Sequence, residues 1–373
     1  MSAREDDRRF MERALRLAER GRGRTRPNPI VGAVLVRGGR IVGEGWHRAA
    51  GLDHAEAVAL RAAGDRARGA TLYVTLEPCA HAGRTPPCST ALIRAGIRRC
   101  VVAQSDPHAI VNGRGIRALR AAGIRVEVGL LAEEARAQLA GYWLAHRAGR
   151  PRVTWKVAAT LDGAVADARG RSRWITGASA RREGHRLRAA SDAILIGAGT
   201  ARADDPRLTA REVGARLQPL RVVCDTRLRL PLALRLFSRR LAAGTVVACG
   251  RSARGARRRA LEARGIEVWS LAEKRGGVDP RALARRLARA GCYEVLMESG
   301  GALGSSWLED GLVDRIVLFG APLVLGPGRG WSAALGRRAL PRAIRGRFAE
   351  LRRVGADVRL TLEMEGTRVH RAD

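Results

Sequence analysis

Thr75-Leu76-Glu77-Pro78-Cys79-Ala80-His81-Ala82-Gly83-Arg84-Thr85-Pro86-Pro87-Cys88, read together with His54-Ala55-Glu56 upstream, decides how this chain folds. Cys79, Cys88 and His54 offer two thiolates and one imidazole, three of the four corners of a tetrahedral zinc, and leave the last corner to water. Glu56 lies two residues beyond His54, near enough to exchange protons with that water yet outside the coordination shell. Two plainer readings compete. The cysteines could be core residues beside a surface histidine, or His81 could close the shell and make the zinc structural. A closed shell leaves Glu56 without a role. The proline before Cys79 and the apolar run Ala70 to Leu76 favour the open site.

An open zinc beside a carboxylate suits hydrolytic deamination of a heterocycle, in which the metal acidifies water and the glutamate carries a proton to departing ammonia. Zinc deaminases pair H-x-E with P-C-x-x-C. Here eight residues separate the thiols instead of two. The surrounding pattern alternates strands and helices. Arg8 to Gly21, His54 to Ala63, Ser89 to Ala95 and Arg117 to Ala122 read as helices. Ile30 to Arg37 and Arg40 to Glu44 read as a hairpin around Gly38-Gly39, and Ala70 to Leu76, Arg99 to Gln104 and Arg125 to Gly129 as strands. Cys88 then opens a helix, where backbone amides favour thiolate over thiol.

At 373 residues, 46% of them apolar, the chain is long enough for two cores. The expected division is a metal-dependent domain over 1–146, a linker at 147–151 and a second domain over 152–373. Six scattered cysteines form no disulfide framework, which points to a reducing, cytoplasmic setting. The charged N-terminal stretch lacks an apolar segment, and no run approaches a membrane span, so neither signal peptide nor membrane helix is expected. A net charge of +33 invites a nucleic-acid reading. Against it, only Lys156 and Lys274 among 69 basic residues are lysines, and the arginines spread along every surface helix, as a coding bias would spread them. Aromatics at 4% leave few platforms for stacking bases. The charge is better suited to drawing in phosphorylated small molecules.

The second half repeats the alternation. Val153 to Ala158, Ala193 to Gly197, Leu220 to Cys224, Gly244 to Cys249, Ile266 to Trp269, Tyr293 to Met297, Val313 to Phe319 and Asp357 to Glu363 read as strands. Tyr293 to Met297 runs into Glu298-Ser299-Gly300-Gly301-Ala302-Leu303-Gly304 and a helix, a turn able to cradle phosphate. It does not match G-x-G-x-x-G, and a tight ligand-free connection explains it equally well.

The Thr75–Cys88 segment resembles the bifunctional deaminase/reductase family of riboflavin biosynthesis, as do Pro27-Asn28-Pro29-Ile30-Val31-Gly32-Ala33-Val34 and Gly45-Trp46-His47. Lys156-Val157-Ala158-Ala159-Thr160-Leu161-Asp162-Gly163, Ser172-Arg173-Trp174-Ile175-Thr176 and Gly199-Thr200 with Asp204-Asp205-Pro206-Arg207-Leu208 resemble that family's reductase blocks. The resemblance implies an α/β architecture, a cytidine-deaminase-like α/β/α domain followed by a dihydrofolate-reductase-like α/β domain. It implies Zn2+ on His54, Cys79 and Cys88, with Glu56 as the catalytic proton shuttle and Asn28 and His47 against the pyrimidine. NADPH would meet Ala158, Trp174, Thr200, Asp204, Thr226 and the loop Gly300, Gly301, Ala302, Leu303, Gly304, Ser305 and Ser306. The phosphorylated pyrimidine would meet Ser172, Arg188, Leu208, Arg211 and Glu298 in the second domain. Pairing into a homodimer or homotetramer through that domain is implied as well. The sequence departs from the family at Thr160, where serine is commoner, at Ala140, where asparagine is expected, and in the middle of Asp106 to Gly115. Alternatives in other classes are a nucleic-acid deaminase, a deaminase with a non-catalytic second half, and a zinc scaffold without activity.

Overall fold

The computed structural model describes residues 3–80, 86–336 and 338–365. The chain divides into two compact units, Met1–Ala148 and Gly149–Asp373. His81, the alternative fourth ligand, lies outside the described residues.

The first unit runs α1 (Ala3–Glu19), β1 (Gly32–Arg37), β2 (Arg40–Trp46), α2 (Ala55–Ala63), β3 (Thr71–Val74) and α3 (Cys88–Arg94). It continues through β4 (Arg99–Val102), α4 (Arg114–Ala121), β5 (Arg125–Val128), α5 (Ala132–Gln138) and α6 (Ala140–Ala148). Its sheet has the order β2-β1-β3-β4-β5, antiparallel as far as β3 and parallel beyond. The two-residue period of the strands divides their side chains between two cores. Leu35, Leu72, Val74 and Val102 pack with Ala55, Ala59, Leu92 and Leu119 on one face. Val34, Tyr73 and Val101 pack with Phe10, Met11, Leu17 and Ala135 on the other. The result is three layers, helix on sheet on helix.

The second unit contains β6 (Arg152–Thr160), β7 (Ala164–Ala166), α7 (Ala178–Ala189), β8 (Ala193–Gly197), α8 (Ala198–Asp204), β9 (Leu220–Cys224), α9 (Arg239–Ala242) and β10 (Thr245–Gly250). After α10 (Gly255–Glu262) come β11 (Glu267–Leu271), β12 (Glu273–Lys274), β13 (Gly277–Val278), α11 (Pro280–Arg289) and β14 (Glu294–Met297). Then follow α12 (Gly301–Glu309), β15 (Arg315–Ala321), β16 (Arg329–Gly330), β17 (Gly346–Val354) and β18 (Asp357–Met364). Nine strands form one sheet, β11-β10-β9-β8-β14-β6-β15-β18-β17. It is parallel from β11 to β15 and antiparallel across β18 and β17. Trp155 and Trp307 are fully buried on one face with Leu283 and Leu287, while Ile194, Val223 and Val247 pack against Leu261 on the other.

Several elements escaped the sequence reading. Helix α6 runs through 147 and 148, the first two residues of the expected linker. Helix α7 (ASARREGHRLRA) and strand β17 (GRFAELRRV) carry so many charges that no clean apolar period shows. Strand β17 lies at the sheet edge, where exposed arginines are compatible with pairing on one side.

Candidate functional site

His54 is the N-cap of α2 in extended conformation, and Glu56 follows in its first turn. Cys79 lies in the loop after β3, and Cys88 is the first residue of α3. These three residues are the one cluster among the described residues that could hold a metal ion, with ligand atoms all within 4.8 Å of one another. His54 Nδ1 lies 3.3 Å from Cys88 Sγ and 3.6 Å from Cys79 Sγ. Bonds of about 2.3 Å to sulfur and 2.05 Å to nitrogen give a tetrahedral edge of about 3.5 Å, so the donors fit zinc. The start of α3 serves Cys79 directly: the Cys88 amide donates to its sulfur at 3.4 Å, and the Ser89 amide to its carbonyl at 3.1 Å. A hydrogen bond from Cys88 outweighs burial and, with His54 and that amide, holds the Cys79 thiol down to about 4. Glu56 is 3% exposed. Burial, reinforced by the negative Cys79, pushes its carboxyl up to about 7, a carboxyl able both to take and to give a proton near neutrality.

One further residue, unmarked in the sequence reading, builds the ligand loop. Glu77 is 3% exposed and accepts four backbone amides. Oε2 takes Asp106 N at 3.1 Å and Gly113 N at 2.9 Å. Oε1 takes Gly115 N at 2.9 Å and Ile116 N at 3.3 Å. This fan fastens the chain next to Cys79 onto the N-terminus of α4, where a carboxylate is favoured by the helix dipole. Gly115 is required by the same contact, because a Cβ there would stand 1.8 Å from the Pro78 carbonyl oxygen. The altered block at 106–115 is therefore the wall that receives Glu77. Asp106 accepts the His108 amide at 2.8 Å and the Tyr142 hydroxyl at 3.1 Å.

Asn28 and His47 stand together beside the ligands. The Asn28 amide lies 3.1 Å from His47 Nε2, and His47 Nδ1 lies 3.1 Å from the Asp53 carbonyl. With Nδ1–H donating to that carbonyl, Nε2 is left to accept from Asn28. His47 is 2% exposed and burial lowers its pKa, which keeps the ring neutral. Its nitrogens are spent on Asp53 and Asn28, so the ring aims the Asn28 amide.

In the second unit a cleft of about 730 Å3 gathers Ala158, Ser172, Trp174, Asp204, Arg188, Arg211 and Glu298. Trp174 is 68% exposed, with the Arg181 guanidinium stacked 4.5 Å from its ring centre. Arg188 grips Glu298 through two bonds of 2.5 and 2.9 Å and reaches the Thr209 carbonyl at 3.2 Å. Each of its three nitrogens makes one of these bonds, so Arg188 meets the cleft already tied to Glu298. Burial raises the Glu298 pKa, but the positive Arg188 and Lys156 outweigh it and hold the carboxyl near 2. Beside it, burial and repulsion from Arg188 and Arg207 lower the pKa of Arg211. Positive groups crowded together in this way make a receptor for phosphate.

Lys156 and Arg207 also line this cleft and were not chosen from the sequence as site residues. A usable signal existed for Lys156, one of only two lysines in a chain that otherwise uses arginine. Thr200, Leu208, Thr226 and Gly300 to Ser306 are not part of the cleft lining. The Gly300 amide donates to Thr200 Oγ1 at 3.3 Å. Leu208 is 2% exposed and belongs to the core. Gly304 and Ser305 are buried, and a Cβ on Gly304 would stand 2.0 Å from the Trp155 ring. Packing against that indole therefore accounts for this glycine, and the exposed face of the loop is Gly300 to Ala302. Thr160 keeps the hydroxyl its position calls for, accepting the Ala164 amide at 2.9 Å and donating to Asp162 at 2.5 Å.

A family model for the cytidine and deoxycytidylate deaminase zinc-binding region matches residues 4–104, and one for the RibD C-terminal domain matches residues 151–360. The riboflavin biosynthesis protein RibD of Aquifex aeolicus (strain VF5) is 41% identical over 355 residues, covering 95% of this chain and 98% of that protein. The protein of the same name from Escherichia coli (strain K12) is 42% identical over 366 residues, with coverage of 95% and 98%. Among solved structures, Acinetobacter baumannii RibD, form 2, has a TM-score of 0.88 at 37% identity, covering 97% of this chain and 100% of that one. A diaminohydroxyphosphoribosylaminopyrimidine deaminase/5-amino-6-(5-phosphoribosylamino)uracil reductase from Thermotoga maritima has a TM-score of 0.85 at 31% identity, covering 97% and 100%. With its zinc-binding deaminase half and its NADPH-using reductase half, the chain belongs to the RibD family of riboflavin-biosynthesis enzymes.

Proposed function

We propose that the first unit removes the 2-amino group of 2,5-diamino-6-(5-phosphoribosylamino)pyrimidin-4(3H)-one and that the second reduces the ribosyl group of the product to ribityl. The observation that carries this reading is the three-donor cluster His54, Cys79 and Cys88 with buried Glu56 beside it. His54, Cys79 and Cys88 would hold Zn2+, which when bound acidifies water and supplies the nucleophile. Glu56 receives a proton on its carboxylate and delivers it to the leaving nitrogen, a transfer suited to a carboxyl poised near 7. Asn28, held by His47, presents its amide to the pyrimidine edge. Glu77 keeps Cys79 at its station.

In the second unit NADPH supplies the hydride. Ala158, Trp174 and Asp204 form the cofactor side of the cleft, and Ser172, Arg207 and Arg211 the phosphate side. Glu298 holds Arg188 and balances Lys156 at the cleft floor. Thr200, with Gly300 to Ala302, borders the same cofactor. Small phosphorylated pyrimidines fit this chain better than nucleic acid, since aromatics are 4% of it. No helix among the described residues is long and apolar enough to cross a membrane. Six cysteines with no disulfide between them support a cytoplasmic setting. Pairing through the second unit into a dimer or tetramer is supported by exposed Phe348 and Leu351 on β17.

The test is a coupled assay on one zinc-analysed preparation, measuring ammonia from the diaminopyrimidine and then NADPH loss. Zinc-loaded protein that releases no ammonia, or that deaminates and leaves NADPH intact, overturns the corresponding half of the proposal.

A further inference from the structure

His185 joins Arg188 and Arg211 in the wall of the reductase cleft. It stands on α7 three residues before Arg188, so one helical turn sets both side chains on the same face. Its Nδ1 meets two backbone groups of the facing segment, the Thr209 carbonyl oxygen at 3.1 Å and the Arg211 amide at 3.2 Å. One ring nitrogen can serve only one of them at a time. With its hydrogen on Nε2, the neutral ring accepts from the Arg211 amide. With a hydrogen on Nδ1, it donates to the Thr209 carbonyl. That carbonyl has a second donor in Arg188 Nη1 at 3.2 Å, whereas the Arg211 amide has no other acceptor among the described residues. The neutral ring carrying its hydrogen on Nε2 is therefore favoured, and Nε2 bonds to no described residue.

The surrounding charges make that neutrality conditional. Burial lowers the pKa of His185, and Arg188 and Arg211 lower it further against the pull of Glu298. Lys156 and Arg207 add positive charge to the same cleft. Glu298 is already gripped by Arg188 through two bonds. A doubly negative group entering here reverses the balance and draws a proton from solvent onto the ring. The imidazolium then has a donor at each nitrogen, Nδ1–H for the Thr209 carbonyl and Nε2–H for the anion. The Arg211 amide, on an exposed residue, passes to water. The Arg211 side chain comes to the same anion from the same anchor, since its Nη1 donates to Thr209 Oγ1 at 2.7 Å. We propose that His185 donates Nε2–H to the phosphate monoester of the pyrimidine substrate and takes up a proton as the dianion binds, so that the second unit selects the phosphorylated sugar over its phosphate-free analogue. The proposal deepens the reading of Arg207 and Arg211 as the phosphate side of the cleft and rests on it.

The experiment binds ribose 5-phosphate to the full chain near neutral pH. Calorimetry in two buffers of different ionisation enthalpy counts the protons taken up, and the imidazole Cε1 resonance that is lost in His185→Gln reports the ring itself. In the native chain that resonance titrates at a higher pH with ribose 5-phosphate than without it, and binding takes up a fraction of a proton. Affinity accordingly rises as pH falls toward about 6, where the phosphate itself begins to protonate. His185→Phe keeps a ring but no donor, and binds ribose 5-phosphate about tenfold or more weakly, the size of a lost charge-assisted hydrogen bond. KM for the phosphorylated substrate rises by the same factor, while kcat, KM for NADPH and the constants for the phosphate-free analogue stay as they were. His185→Gln keeps a donor without the charge, so it loses the proton uptake and less of the affinity. His185→Asn, which keeps an acceptor at the Nδ1 position, serves where the others do not fold. Native affinity in the variants, or a His185 resonance that ribose 5-phosphate leaves unmoved, overturns the assignment while NADPH oxidation continues. A native chain that leaves NADPH intact on deaminated substrate removes the reductase reading itself, and the inference with it.

Discussion

Replacing Glu77 by Gln tests whether the metal loop is held from outside its own ligands. The substitution preserves shape but leaves one oxygen where two accept, so two of the four amides from Asp106, Gly113, Gly115 and Ile116 come to face an NH2 group. A buried donor without an acceptor costs about 1–3 kcal/mol, which gives roughly 2–6 kcal/mol for the pair. That is a large share of the ~5–15 kcal/mol that stabilises an ordinary domain. The loss falls on the segment carrying Cys79, so zinc is released more readily, by about 10- to 100-fold in affinity. Zinc transfer to a chelating dye, run beside a thermal melt of the whole chain, measures both effects. NADPH oxidation on deaminated substrate stays at the native rate, because the bonds of Glu77 all lie within the first unit. Native zinc retention and native melting in Glu77→Gln would refute the reasoning.

Glu56→Gln lowers ammonia release by about 10²- to 10⁴-fold while zinc content and NADPH oxidation on deaminated substrate hold, as paired assays will report. Removing zinc with a chelator stops ammonia release and spares NADPH oxidation, and re-addition restores the first activity. His47→Ala raises KM for the pyrimidine more than it lowers kcat, since Asn28 loses the acceptor that aims its amide. Glu298→Gln leaves Arg188 and Lys156 buried without their counter-charge and destabilises the second unit by about 3–5 kcal/mol, read from urea unfolding. The native Glu298 carboxyl sits near 2 against an ordinary 4.5, so its contribution is whole above 4.5 and is lost as pH falls from 4.5 toward 2. Unfolding at stepped pH shows that acid limb in the native chain and a flattened one in the variant.

The metal donors were legible because zinc chemistry restricts the choice of residue and the Pro78-Cys79 junction marked the loop. Their spatial closeness could not be read, since His54 and Cys88 are brought together by two helix starts on one sheet edge. Nothing in the sequence marked Glu77 as the anchor of that loop, because its partners are backbone amides 29 to 39 positions away, which every residue but proline possesses. The alternating strands of the parallel region were readable from their apolar runs. Helix α7 and strand β17 were hidden by arginine, which covers apolar surface with its stem while its head stays in water. For Arg188 the sequence shows the charge and not its neighbour, which here is Glu298. Leu208 lies in the core and Gly304 packs against Trp155, contacts that a motif does not show.

The depressed Cys79 thiol has a consequence for survival under oxidants. Four of the six cysteines are buried, and Cys79 joins partial exposure to thiolate character. Peroxide and electrophiles attack thiolates in accessible positions, so metal-stripped protein is damaged first at its ligand loop. Zinc thus shields the sulfur it uses, and without it the neighbouring Cys88 thiol traps an oxidised Cys79 as a disulfide, so the first activity stops until a reductant reopens the site while the second stands intact with nothing to reduce.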